Sequence, residues 1–279
     1  MAILCCLTLR QLFRLPLRAT EGLIQSLISL SGLSVKAPNY TTLCRRSRSL
    51  KFNLNFRKSS QARHILVDAT GIQVIGEGVW KKLQHGESRH QVWKKLHITM
   101  DADNHDILSA VMTDSVRLDC NYLPGLIEQI KGPIRQITGD GAYDKKNCYQ
   151  TAYQRNAKPV FPPQHNAGVQ RNKYKKEAAL EARDKTILEI GRGPDRAQRL
   201  REWKKRHSYH RRSLIETMML RMKTIFGDQM RSRSTCNQAT DLLVRCYAIN
   251  KINKLGLPIS CLLYTSPSPR DRGCSRMPS

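Results

Sequence analysis

The chain has 279 residues, 40 % of them hydrophobic, and carries 48 Lys plus Arg against 22 Asp plus Glu, a formal charge of +26. That apolar fraction excludes a disordered tail, and the length suits one large domain or an ordinary domain with a small appendage. So large a charge makes nucleic acid the leading partner, with an anionic membrane surface as runner-up. No apolar run approaches the ~20 residues of a membrane span, and the expected setting is the cytoplasm. The nine cysteines include the adjacent Cys5 and Cys6 and no Cys-x-x-Cys, which predicts reduced thiols rather than disulfides or a zinc site.

Leu4, Leu7, Leu12, Leu23, Leu27 and Leu30 recur at helical spacings over residues 2–33, with Pro16 dividing two short helices. Pro38 and Asn39 turn the chain, and Thr41 opens a third helix through Arg48. Helix, helix, turn, basic helix is the layout of a helix-turn-helix module and equally of any three-helix packing unit. Residues 1–50 are read as a helical DNA-binding region in which Arg45 and Arg46 reach the nucleic acid, and 51–63 as a linker. From Arg10 to Arg63 eleven basic residues stand against one acid, Glu21.

The pattern then changes to strands: His64 to Val67, extended by Gly71 to Ile75, then Gln91 to Met100, then Asp106 to Met112 after an Asp103-Asn104 turn. A helix at Tyr122 to Ile130, a strand at Ile134 to Thr138, a helix from Asp144 to Asn156 and a strand at Pro159 to Phe161 follow. This alternation predicts an α/β layer structure over 64–258. Residues 170–212 carry fifteen Lys or Arg against six acids, with a helix from Tyr174 to Ile190 and a break at Gly191-Arg192-Gly193-Pro194. Two more helices are expected, Ser208 to Gly227 and Thr235 to Leu255, the last with Leu242, Leu243, Cys246, Ile249 and Ile252 on one stripe. Residues 261–279 lack periodicity and look like a translated sequencing adapter, hence a non-native tail.

Asp68 is expected where a strand opens into the turn Ala-Thr-Gly, and Asp140 lies just past a strand between two glycines. Acids at strand ends point into the cleft of an α/β sheet, although an Asp capping a turn beside Gly is the commoner meaning. On one helical wheel, Tyr209, Arg212, Glu216 and Lys223 fall within a stripe of roughly 60°, flanking an apolar face of Leu214, Ile215, Met218, Met219, Met222, Ile225 and Phe226. A carboxylate among two cations and a phenol suits phosphate handling: the acid holds a metal while Arg and Lys hold phosphates. Asp101, Asp144 and Glu189 are expected outside this set. The histidines at 64, 85, 90, 97 and 105 are spaced for strand faces, not for tetrahedral ligation.

The spacing Tyr209-x2-Arg212-x3-Glu216-x6-Lys223, together with Gly139-Asp-Gly-Ala-Tyr-Asp144 and Tyr209-His-Arg-Arg-Ser-Leu-Ile-Glu216, resembles the insertion-sequence transposases of the DDE type. Leu7-Thr-Leu-Arg-Gln-Leu-Phe13 and Leu17-Arg-Ala-Thr-Glu-Gly22 further resemble the insertion-sequence-five family, in a copy short at its N-terminus. The resemblance implies a ribonuclease-H-like catalytic core with Asp68, Asp140 and Glu216 as catalytic, metal-binding residues for two Mg2+ ions, Mn2+ substituting. It implies Tyr209, Arg212 and Lys223 on the DNA backbone and the basic segment 170–207 as an insertion facing DNA. Double-stranded DNA, both element ends and target, is the implied partner of a homo-oligomer in the bacterial cytoplasm, associated with the nucleoid and with no membrane. The implied reaction is hydrolysis of a phosphodiester at the element end, then attack of the freed 3′-hydroxyl on target DNA. The rivals are a nuclease of the same fold without strand transfer and a non-catalytic basic DNA-binding protein from a decayed element.

Overall fold

The computed structural model describes residues 1–54, 56–57, 59–75, 92–170 and 177–256. The tail 261–279, His85, His90 and the expected starts at Gln91 and Tyr174 lie outside the described residues. Three helices lead, α1 (Ala2–Leu12), α2 (Leu17–Leu30) and α3 (Tyr40–Ser47), the last capped by the Asn39 side chain accepting from Thr41 N–H. Then come β1 (Arg63–Val74), β2 (Val92–Asp101), β3 (Ile107–Asp114), α4 (Leu123–Glu128), β4 (Ile134–Thr138), α5 (Lys146–Gln154) and β5 (Lys158–Val160). Helices α6 (Ala178–Ile190), α7 (Arg196–Arg206) and α8 (Ser213–Phe226), the short β6 (Gln229–Met230) and α9 (Thr235–Leu255) complete the order.

The sheet runs β3-β2-β1-β4-β5, with β6 paired to the far end of β1. β1, β2 and β3 are antiparallel, while β4 and β5 run parallel to β1. This mixed sheet flanked by helices is the α/β, ribonuclease-H-like architecture expected. Alternate residues of a strand face opposite sides, and β1 obeys the rule. Leu66 and Ile72 join Ile215, Met218, Met222 and Phe226 of α8 and Leu242, Cys246 and Ile249 of α9 on one face. Ile65 and Val67 join Leu123, Ile127, Cys148 and Ala152 of α4 and α5 on the other.

Two expectations are corrected. Asp68 does not end a strand, because Ala69, Thr70 and Gly71 continue the ladder against His97, Leu96 and Lys95, and β1 is unbroken to Val74. The helix expected from Ser208 is split: Ser208 is left-handed at φ 52°, Tyr209–Arg212 is a 3-10 turn, and the α-helix begins at Ser213.

The first helices dock on the last. Leu4 and Leu7 of α1 pack on Val244 and Tyr247 of α9, Arg10 is ion-paired with the buried Asp241 at 2.7 Å, and the Ser47 hydroxyl meets the Asn237 side chain. The 51–63 stretch, expected as a linker, is packed where described. Leu54 is buried in the main core beside Phe52 and Phe56, the Asn250 amide donates to its carbonyl, and Arg57 is bound to the buried Asp106.

Candidate active site

Asp68 shares the side of β1 with Leu66 and Ile72, the side on which α8 lies. In the β1–β4 ladder Leu66 pairs with Thr138, so two residues further along both chains Asp140 comes beside Asp68 on the same face. β4 has ended by then and Asp140 caps the 3-10 turn Gly141–Tyr143, its carboxylate accepting from Ala142 N–H at 2.9 Å. Gly139 makes this possible: a Cβ there would lie 2.7 Å from the Tyr143 ring and 2.9 Å from Val67. Glu216 projects from the first turn of α8, and Ile215, Met218, Met219, Met222 and Phe226 fix that helix on the sheet. At ~2 kcal/mol per buried side chain, their burial contributes on the order of 10 kcal/mol.

Arg212 joins the carboxylates. Its guanidinium donates to Asp68 Oδ2 at 3.2 Å and to Glu216 Oε1 at 2.7 Å, while its Nε is buried without a partner. Asp68 Oδ1 accepts from Ala69 N–H. Burial pushes the Asp68 carboxyl above its ordinary pKa, Arg212 and the Ala69 N–H pull it back, and Asp140 and Glu216 push it further up. For Arg212, burial opposes the charge, but Asp68, Tyr209, Glu216 and Asp140 outweigh it and hold the guanidinium above its usual value. Burial likewise raises the Tyr209 phenol, with Asp140, Asp68 and Glu216 adding to it against Arg212. The phenol therefore keeps its proton at neutral pH and can donate a hydrogen bond.

The structure thus brings Asp68, Asp140, Tyr209, Arg212 and Glu216 into one electrostatic neighbourhood. A 3-10 turn rather than an α-helix does this for Tyr209 and Arg212, since i and i+3 eclipse in that geometry. Lys223 lies two turns along α8 from Glu216, half-buried and without an ion pair among the described residues. Arg45 and Arg46 are exposed on α3, which packs on α1, α2 and α9, and take no part in the carboxylate contacts. Among the described residues, no three His, Cys, Asp or Glu side chains already converge as a ligand set. Arg212 bridges Asp68 and Glu216. The donor chemistry nonetheless fits a hard divalent cation, because all three acids offer only oxygen.

Other residues support the site without announcing themselves in the sequence. Trp203 of α7 is 1 % exposed, packs with Val160, Ile190, Leu200 and Tyr209, and ties the basic helical hairpin α6–α7 to the site. Its signal was the apolar spacing Ile190, Leu200, Trp203 inside a charged stretch. Arg211 donates to Ala102 O and Asp103, fastening the 3-10 turn to the β2–β3 connection. Asp144, expected outside the carboxylate set, is buried and accepts from Arg183 Nε at 2.7 Å, from Gln164 N–H and from the Tyr149 hydroxyl. Asp101 is also buried, paired with Arg63 and capping Asp103 N–H. These two acids hold the fold.

Asp68 and Glu216 meet on Arg212, with Asp140 beside them, on the face of a mixed sheet flanked by helices, the ribonuclease-H-like fold. Two family models, both described as Transposase DDE domain, match residues 1–77 and 59–251. The second covers more than half of the chain, and the protein belongs to the DDE-domain transposases. Such a protein acts on DNA. No helix among the described residues is long and apolar enough to cross a membrane.

Proposed function

We propose that Asp68, Asp140 and Glu216 are the catalytic carboxylates of a transposase that cuts DNA at the ends of an insertion sequence and joins the freed 3′-hydroxyl to target DNA. The observation that carries this reading is the meeting of Asp68 and Glu216 on one guanidinium, with Asp140 set beside Asp68 by strand register. The three acids would hold Mg2+, or Mn2+ in its place; a pair of such ions supplies an activated nucleophile and neutralises charge on the leaving oxygen. Arg212 and Lys223 hold phosphates near the scissile bond, and the protonated Tyr209 donates a hydrogen bond there, supplying position rather than sequence. The α6–α7 hairpin presents its exposed Arg201, Lys205 and Arg206 to the same DNA. Arg45 and Arg46 on α3 contact DNA away from the cut. The segments that resemble the insertion-sequence-five family support assigning the element to that group, and holding two ends together calls for a homo-oligomer on DNA.

Glu216→Gln tests the assignment. Helix propensity and packing are kept, so DNA affinity should stay within a few-fold of wild type while cleavage in Mg2+ falls by several orders of magnitude. Wild-type cleavage by the variant would refute the role. Joined products from pre-nicked ends separate a transposase from a nuclease of the same fold.

A further inference from the structure

At the far end of α8 from Glu216, ten residues or about 15 Å along the helix, a pocket opens between the end of α1, the α8–β6 connection and α9. It is lined by Arg10, Arg14, Arg231 and Arg245 and by the carboxylates of Asp228 and Asp241. Both oxygens of Asp241 are engaged, by Arg10 at 2.7 Å and by the Ser232 hydroxyl at 2.6 Å, so this acid balances one arginine only. Arg245 is 4 % exposed, yet every acceptor it touches among the described residues is neutral: Gln11 Oε1, Gly227 O and Gln229 O. Among the same residues Arg14 donates only to the carbonyls of Thr224 and Ile225. Those carbonyls end α8, and a helix C-terminus contributes about half a negative charge. More than one positive charge remains.

A buried guanidinium without a counter-ion is costly, and here it stands beside two others. Burial depresses the pKa of Arg245, and Arg10 and Arg14 depress it further against the pull of Asp241. Independently, Arg10 is more than nine-tenths buried and its Nε has no hydrogen-bond partner among the described residues. The mouth is formed by the exposed Arg14 and Arg231, and among the described residues Arg231 makes one hydrogen bond, to Arg14 O. Charge, exposed donors and an orphaned donor all call for a compact oxyanion.

We propose that this pocket binds a phosphate group, with Arg231 and Arg14 as its outer donors and Arg245 and Arg10 as its buried field. The group belongs to the backbone of DNA that has passed Arg212 and Lys223 along α8, and that source alone rests on the transposase reading.

The test uses the full chain without metal or DNA. Thermal unfolding is followed as inorganic phosphate replaces chloride at constant ionic strength, for wild type, Arg231→Gln and the control Arg117→Gln, an exposed arginine after β3. Wild type and Arg117→Gln should gain stability alike, while Arg231→Gln should show an apparent phosphate affinity about tenfold weaker, the loss of one charge-assisted contact. Repeating the titration on protein saturated with a duplex oligonucleotide separates the sources: loss of phosphate binding assigns the site to the DNA backbone, and unchanged binding assigns it to free phosphate. No stabilisation by phosphate over chloride, or equal behaviour of the two variants, overturns the site. Neither result touches the Glu216 assignment, since nothing is cleaved.

Discussion

Arg212→Gln removes the cation that, among the described residues, touches both Asp68 and Glu216. A charge pair at this distance is worth about 4 kcal/mol at an effective dielectric of 20, before desolvation. The Asp68 half is well enclosed, with 15 % of its side chain exposed, whereas Glu216 is 52 % exposed and its half is screened to under about 1 kcal/mol. A net loss of roughly 2–3 kcal/mol follows at neutral pH. For a chain of this size that corresponds to a fall in Tm of roughly 5–10 °C. The pH dependence has a definite sign. The carboxyl of Asp68 already titrates above its ordinary value, and losing Arg212 raises it further. A raised acid favours folding when protonated, so the deficit is widest at neutral pH and closes as pH falls through the folded-state pKa of Asp68. Divalent cations supply the missing counter-charge, so Mg2+ should raise the Tm of the variant more than that of wild type. Calorimetric melts at pH 7 and pH 4.5, with and without Mg2+, check each point. Equal melting of the two proteins at pH 7, or equal response to Mg2+, would refute the bridging role.

Asp144→Asn should cost about 3 kcal/mol in urea unfolding because it leaves Arg183 without its partly buried counter-charge, whereas Glu189→Gln, in a half-exposed pair with Arg206, should cost under about 1 kcal/mol. His64 is buried against Thr138 and Gln136, and burial, aided by Arg211 and Arg135, lowers its pKa to about 4. Neutral His64 thus stabilises the fold above pH 6.5, and its share, about 3 kcal/mol, is lost as pH falls to 4; a His64→Gln protein should show a shallower acid limb in stability-versus-pH curves. DNA binding should weaken about a thousandfold between 50 and 200 mM salt if six to ten phosphates are contacted; a flat response in filter binding would contradict that footprint.

Local chemistry was enough for some elements. Ile134–Thr138 and Thr235–Leu255 were read to the residue, the latter from its apolar stripe, and the structure adds the Ser234 side chain as its cap. Asp68 was placed in a turn because Ala-Thr-Gly is turn-like in isolation; the pairing partner that keeps it extended lies about thirty residues away. The left-handed Ser208 leaves no trace in a helical wheel, so the stripe of Tyr209 with Glu216 assumed an unbroken α-helix where a 3-10 turn precedes Ser213. The interior of α9 was hidden for a different reason. Asn237, Asp241, Asn250 and Asn253 are buried there, and Asn250 bonds Leu54 and both backbone groups of Ile107, so polar residues stand where an apolar stripe predicts surface.

The docking of α1 on α9 also concerns time. Arg10 and Asp241 are 231 positions apart, and a ribosome adding ~5–20 residues per second leaves roughly 10–50 s between the emergence of one and the other. Throughout that interval Leu4 and Leu7 lack the surface of Val244 and Tyr247 that covers them, and the leading helices are exposed to chaperones and proteases. A message broken before α9 therefore leaves a product marked for degradation, and only chains translated past Asp241 can close.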